Sequence, residues 1–145
     1  MIREFQKGDL ERVAEIWLAA NTQAHGFISR AYWEGRLETV RGLLLQAELY
    51  VWQAESGALQ GFIGLSGEHI EGLFVWPPAQ GRGIGKALLD RAREAHGRLT
   101  LNVYRKNERA AAFYRREGFR TVGQGLDEAT GEAEDLMAWE GETSC

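Results

Sequence analysis

Gly81, Gly83 and Gly85 fall within five residues and lead straight into Lys86-Ala87-Leu88-Leu89, a run of good helix formers. Glycine weakens a helix more than any residue but proline, so its use here points to something that must approach the backbone closely. A helix N-terminus presents N–H groups without intrahelical acceptors and a partial positive charge, and both attract phosphate. Bare positions at 81, 83 and 85 let a pyrophosphate reach those amides and permit positive φ. Arg82 and Lys86 add charge. A tight turn with no ligand is the plainer reading of the same glycines. The stretch is not a P-loop, because Ala87 follows Lys86 and no hydroxyl is placed for Mg²⁺. Nor is it a G-x-G-x-x-G dinucleotide turn, because Lys86 or Leu88 stands where the last glycine belongs.

Charge is distributed in a way that suits a polyanion near this turn. Residues 80–120 hold 11 Lys and Arg against 4 Asp and Glu, whereas residues 1–79 hold 6 against 10 and residues 121–145 none against 7. The net charge of −4 argues against nucleic acid as a partner. No stretch reaches the roughly 20 apolar residues of a membrane span, so no membrane partner is expected. MIREFQKGD lacks the apolar core of a secretory signal. The one cysteine, Cys145, excludes a disulfide within the chain and is poorly placed to be a nucleophile. A cytoplasmic protein is expected. No His/Cys cluster has metal-ligand spacing, and Ser66 lacks a nucleophile-elbow context.

The elements that must hold the turn follow from periodicity. Residues 2–5 read as a strand. Asp9 is placed to cap a helix with Leu10, Val13, Ile16, Trp17 and Ala20 on one face. NTQAHGFIS is a loop, and Ser29 opens a second helix to about Leu45, weakened by Gly35 and Gly42. Strands are expected at 48–54, 60–66 and 69–76, with Pro77-Pro78 ending the last. A helix from Gly85 to about His96, a strand at 99–104 and a helix from Asn107 to Glu117 follow, with Gly118 at its C′ position. Residues 119–124 and 134–139 close the chain as a hairpin. The order β-αα-βββ-α-β-α-ββ makes one α+β domain over 1–145. Its mixed, mostly antiparallel sheet has about seven strands flanked by four helices, and the unit at 69–104 is a parallel crossover.

Val75-x-Pro77-x-x-Gln80-Gly81-x-Gly83-x-Gly85 followed by a helix resembles motif A of the GNAT superfamily of acyl-CoA N-acyltransferases. Asn107-x-x-Ala110-x-x-Phe113-Tyr114-x-x-x-Gly118-Phe119 resembles motif B of the same superfamily. The motifs occur in the family's order, one strand apart, and the element order fits the GNAT fold over almost the whole chain. AHGFIS, AELYVW and GFIGLSGEHIEGLFV are similar to the bacterial YjaB-type branch.

The resemblance implies that the strand ending at Val75 and the strand 99–104 splay apart to admit acetyl-CoA. Pantetheine would pair with backbone near Phe74 and Val75, and the Val75 N–H would polarise the acyl carbonyl. The pyrophosphate would lie on the amides from Gly81 through Arg82, Gly83, Ile84 and Gly85 to Lys86, with Gln80 also binding the cofactor. Asn107 would reach the pantetheine arm besides capping its helix. Tyr114 is the candidate acid, a phenol able to protonate a departing thiolate. Glu71 or His69 is the candidate base; strand alternation puts both on one face, with Ile70, Gly72 and Phe74 on the other. His25 and Phe27 would line the amine pocket, while Trp33 and Trp52 are core or pocket wall. If the last strand flanks that pocket, Glu134-Asp135 would favour a cationic amine.

The expected reaction is acetyl transfer from acetyl-CoA to a primary amine by direct attack in a ternary complex, with no metal. Peptidyl-lysine, a peptide N-terminus and a small-molecule amine are open as acceptors. A non-catalytic acyl-CoA-binding or sensing module is the rival reading, and the family's habit of dimerising makes a homodimer conceivable.

Overall fold

The computed structural model describes residues 1–141, so Cys145 lies outside the described residues. Seven strands form one sheet: β1 (Ile2–Glu4), β2 (Glu48–Gln53), β3 (Leu59–Ser66), β4 (His69–Val75), β5 (Arg98–Tyr104), β6 (Arg120–Asp127) and β7 (Glu132–Glu140). Their spatial order is β1-β2-β3-β4-β5-β7-β6. Among the described residues five α-helices accompany them: α1 (Leu10–Ala24), α2 (Arg30–Gly35), α3 (Leu37–Leu44), α4 (Ile84–Ala95) and α5 (Glu108–Arg116). No helix among the described residues is long and apolar enough to cross a membrane.

Strand alternation divides the core in two. Ile63 and Leu65 of β3 pack with Ile84, Leu88 and Leu89 of α4 on one face of the sheet. Phe62 of the same strand packs with Val13, Ile16 and Trp17 of α1 and Val40 of α3 on the other. Trp52 joins the α4 side, and Trp33 is buried on the α1 side.

Three local expectations are corrected. Ser29 does cap a helix, accepting from the Tyr32 N–H at 3.3 Å, but that helix stops at Gly35 and a new one starts after Arg36. The single helix expected to reach Leu45 is therefore two, and the described residues form five α-helices where four were expected. Asp9 does not cap α1 with its side chain. Its carboxylate accepts from the Gln6 backbone amide at 2.8 Å and from the two terminal nitrogens of the Arg3 guanidinium at 2.9 and 3.0 Å, tying β1 to the helix start. Arg3 and Gln6 together hold its pKa below the ordinary carboxylate value.

The third correction lies in β4. Leu65 pairs with Ile70 and Gly64 with Gly72, so Glu71 is an extra residue with no partner in the ladder. A β-bulge of this kind reverses the side-chain phase beyond it. Ile70 accordingly shares the α4-side core with Leu73 and Val75, whereas Phe74 points to the α1 side. Strict alternation had put Ile70 and Phe74 on the same face.

The bulge sits where β4 and β5 part. Their parallel pairing comprises only His69↔Thr100 and Ile70↔Leu101. β5 meanwhile keeps seven residue pairs with β7. From Glu71 to Val75 the neighbouring edge of β4 is open. Trp76 donates to the Gln60 carbonyl at 2.8 Å, so in the alternating antiparallel ladder Phe74 is bonded to β3 and the polar backbone of Leu73 and Val75 faces the gap.

Gly61 lets α4 lie close enough to β3 to hold its N-terminus beside that gap. A Cβ there would stand 3.0 Å from Ile84 Cγ2 and 3.0 Å from the Phe74 carbonyl oxygen. Gly61→Ala should destabilise the protein by about 1–3 kcal/mol in urea unfolding. Wild-type stability would show that α4 is free to shift.

Candidate active site in the splayed strands

A cavity of about 660 Å³ occupies the gap. Its walls are the end of β4 from Leu73 to Val75, the turn from Gln80 into α4, one face of α5 and the end of α1. Gly81 and Gly83 have φ of +83° and +82°, and Gly83 is the N-cap of α4. These two glycines are required by the backbone conformation itself. Gly85 is not at positive φ; a Cβ there would enter the space between Val75 and Phe113, 3.8 Å from each. The first α4 amide to close a helical bond is that of Ala87, to the Gly83 carbonyl at 3.0 Å. The preceding amides of the turn keep their donor capacity, as at any helix start. This donor set, with its bare approach, fits a pyrophosphate.

The charges around the turn differ from those expected. Arg82 is exposed and does not line the cavity. Lys86 lines it, but its ammonium already meets Glu117 at 3.2 Å and Asp90 at 3.4 Å, which raise its pKa. Arg109 and Arg116 of α5 line the cavity with Phe113 between them. These three had a readable signal: positions 109, 113 and 116 are one helical face. Gln80 ties the mouth together, donating to the Val75 carbonyl at 3.2 Å and to Gln23 Oε1 at 2.8 Å.

A second cavity of about 280 Å³ lies on the α1 side of the gap. Trp33, Tyr104, Glu71, Asn102 and Glu134 belong to it alone. His25, Leu73, Phe74, Asn107, Ala110 and Tyr114 line both cavities and form their common wall. Glu134 stands opposite Tyr104 in the β5–β7 ladder, so both side chains project to this face. Burial first, and then the nearby Asp127, raise the Glu134 pKa, while His69 opposes them. Asp135, its neighbour, points the other way; it is buried and paired with Arg105 at 3.1 Å. Tyr104 donates to Asp127, fixing the β6–β7 turn to β5.

Tyr114 is only 8% exposed and meets Phe113 and Phe119 edge to face, with ring centroids 5.2 and 5.4 Å away. Burial raises its pKa, so the phenol stays protonated through the physiological range. Of the two base candidates, Glu71 lines the second cavity; His69 lines neither and is hydrogen-bonded through Nδ1 to Thr100 Oγ1 at 2.8 Å. Phe27 lines neither cavity and packs edge-on against His25 and Tyr104. His25 is buried against Trp33 and Tyr104, and burial lowers its pKa to about 4. Asn107 caps α5 through Oδ1, which accepts the Ala110 N–H at 3.2 Å. Among the described residues, no group of three His, Cys, Asp or Glu is placed to hold a metal.

The chain is similar in sequence and fold to known proteins. A family model described as an acetyltransferase (GNAT) domain matches residues 45–121. Peptidyl-lysine N-acetyltransferase YiaC of Escherichia coli K12 is 38% identical over 141 residues, covering 96% of each chain. Peptidyl-lysine N-acetyltransferase YjaB of the same strain is 34% identical over 123 residues, 85% of this chain and 84% of that protein. The solution structure of apo-form YjaB from Escherichia coli superposes with a TM-score of 0.86 at 31% identity, covering 98% of each chain.

The two kinds of glycine should separate by experiment. Gly83→Ala forces a left-handed alanine and should cost about 1–2 kcal/mol of stability. Gly85→Ala should unfold no more easily than wild type, because alanine suits a helix, yet bind acetyl-CoA more weakly in a calorimeter. Equal affinity would show that the space beside Gly85 is not used.

His25 makes stability fall on acidification. Its folded pKa lies below the unfolded value near 6.5, so its contribution is whole above that pH and lost as pH drops toward about 4. Between pH 7 and pH 5 it should remove roughly 2 kcal/mol. Urea unfolding of wild type and His25→Leu at the two pH values checks this, and an equal loss in both would acquit His25.

Proposed function

The chain belongs to the GNAT acetyltransferase family, and we propose that residues 1–145 act as one domain acetylating lysine side chains of proteins or peptides. It is an N-acetyltransferase with acetyl-CoA as co-substrate. The observation that carries the acceptor class is the second cavity: aromatic walls from Trp33 and Tyr104, carboxylates at Glu71 and Glu134, and a shared wall with the cofactor cavity at Tyr114. An alkyl chain ending in an ammonium matches that lining, since the stem packs on rings and the charge meets carboxylates. The names of YiaC and YjaB support the same acceptor. A cytoplasmic location suits this reading, because acetyl-CoA and protein lysines meet there.

Acetyl-CoA supplies an acetyl thioester, whose carbonyl carbon the amine attacks. Glu134 holds the incoming ammonium, and Glu71 takes its proton, directly or through water, leaving a nucleophilic amine. The position of Glu71 in the cavity wall favours it over His69. The Val75 N–H, which faces the gap, polarises the carbonyl. As the new C–N bond forms and the C–S bond breaks, the Tyr114 hydroxyl donates its proton to the sulfur, and the second proton shed by the attacking nitrogen returns to the phenol through water. Holding both substrates across one wall supplies much of the rate through proximity.

An amine panel followed by thiol release tests the reading. A lysine peptide should outpace a lysine-free peptide with a free N-terminus. Tyr114→Phe should lower kcat by about 10²–10⁴-fold, and Glu134→Gln should raise KM for the lysine peptide while leaving that for acetyl-CoA alone. Turnover confined to N-termini or small-molecule amines would replace lysine as the acceptor.

A further inference from the structure

Asn107 and His25 lie 82 positions apart in sequence, yet Asn107 Nδ2 and His25 Nε2 are 3.0 Å apart. The proton positions follow from bonding rules. Asn107 Oδ1 is engaged by the Ala110 amide at 3.2 Å, so it is the Nδ2 end of the carboxamide that faces the imidazole. A carboxamide nitrogen only donates. His25 Nε2 must therefore present a lone pair, and the neutral ring carries its proton on Nδ1. That Nδ1 is buried and has no hydrogen-bond partner among the described residues. Leaving a buried donor unpaired is unfavourable, so a ring held in this tautomer needs a reason.

The ring is held on several sides. Trp33 lies 5.5 Å from it, Tyr104 5.0 Å and Phe27 5.6 Å, centroid to centroid. The Phe27 ring also meets Tyr104 and carries the Lys106 ammonium 5.4 Å over its face. The loop after α1 is thus clasped to the corner between β5 and α5. Both His25 and Asn107 stand in the wall between the two cavities. Asn107 has two amide hydrogens and two carbonyl lone pairs, of which His25 and Ala110 take one each. One N–H and one lone pair remain.

We propose that His25 is a positioning residue that locks the Asn107 carboxamide so that its remaining N–H and carbonyl lone pair serve the acetyl-CoA arm. It does not touch the reacting atoms. It sets the rotation of a side chain whose cap alone leaves the amide free to tilt. The proposal rests on the larger cavity being the acetyl-CoA site. It adds that a residue from the acceptor side controls cofactor affinity through one hydrogen bond.

The test has three arms. Long-range ¹H–¹⁵N spectra of the wild type at pH 7 should show His25 with Nδ1 protonated and Nε2 bare; a proton on Nε2 overturns the proposal without any variant. In calorimetry, His25→Leu should weaken acetyl-CoA binding by about 3–10-fold, the size of one lost hydrogen bond, and His25→Gln, whose amide oxygen can accept, should recover part of it. On an Asn107→Ala background the His25→Leu effect should vanish. An undiminished effect there, or wild-type affinity in His25→Leu, would reject the positioning role while leaving the acetyl-CoA site intact. No acetyl-CoA binding by folded wild type would instead remove the reading of the cavity itself.

Discussion

The early end of the β4–β5 ladder is the constraint on which the site depends. Two residue pairs join the strands, and then the extra residue Glu71 bends β4 away. Polar backbone groups released inside a protein must find other partners. Here the Val75 carbonyl takes the Gln80 amide, while the open edge becomes one wall of the larger cavity. The bulge that opens the gap also carries a candidate base into the second cavity, so opening and chemistry share one residue. The sheet tolerates the break because β5 is held along its full length by β7, and β4 by β3.

The two cavities have opposite electrostatic character and a common wall. The larger has helix-start amides with Arg109 and Arg116; the smaller has Glu71 and Glu134. Under the proposed function, an anionic cofactor and a cationic acceptor would be drawn to different sides of Tyr114, which would reduce mutual competition. Lys86 takes less part than its place after the glycines suggests, because Glu117 and Asp90 engage it first. In a segment rich in Lys and Arg, pairing decides which cations stay available to a ligand.

Much of the fold could be read from local chemistry. Seven strands, the helix after the glycines, the Asn107 cap and the Gly118 stop were legible, because each depends on residues within a few positions of one another. Two of the failures were also local in origin. One helix became two beyond Gly35, and Asp9 was drawn from its helix by Arg3 and Gln6. The phase error in β4 had a different cause. A bulge is a relation between strands, and alternation read along one strand carries no sign of it.

The sequence by itself determined the glycine turn at a helix start, the phenol and the capping amide one helix later, and a short list of acids and bases near them. These follow from backbone conformation and helical spacing, which act over a few residues. The tertiary structure decided which of them meet. It brought Glu134 opposite Tyr104, turned Asp135 away to Arg105, left His69 on Thr100, and set His25 against Asn107. Those outcomes depend on sheet register, on the bulge at Glu71 and on a loop closing over 82 positions, and a one-residue change of register would reverse the faces that make the site.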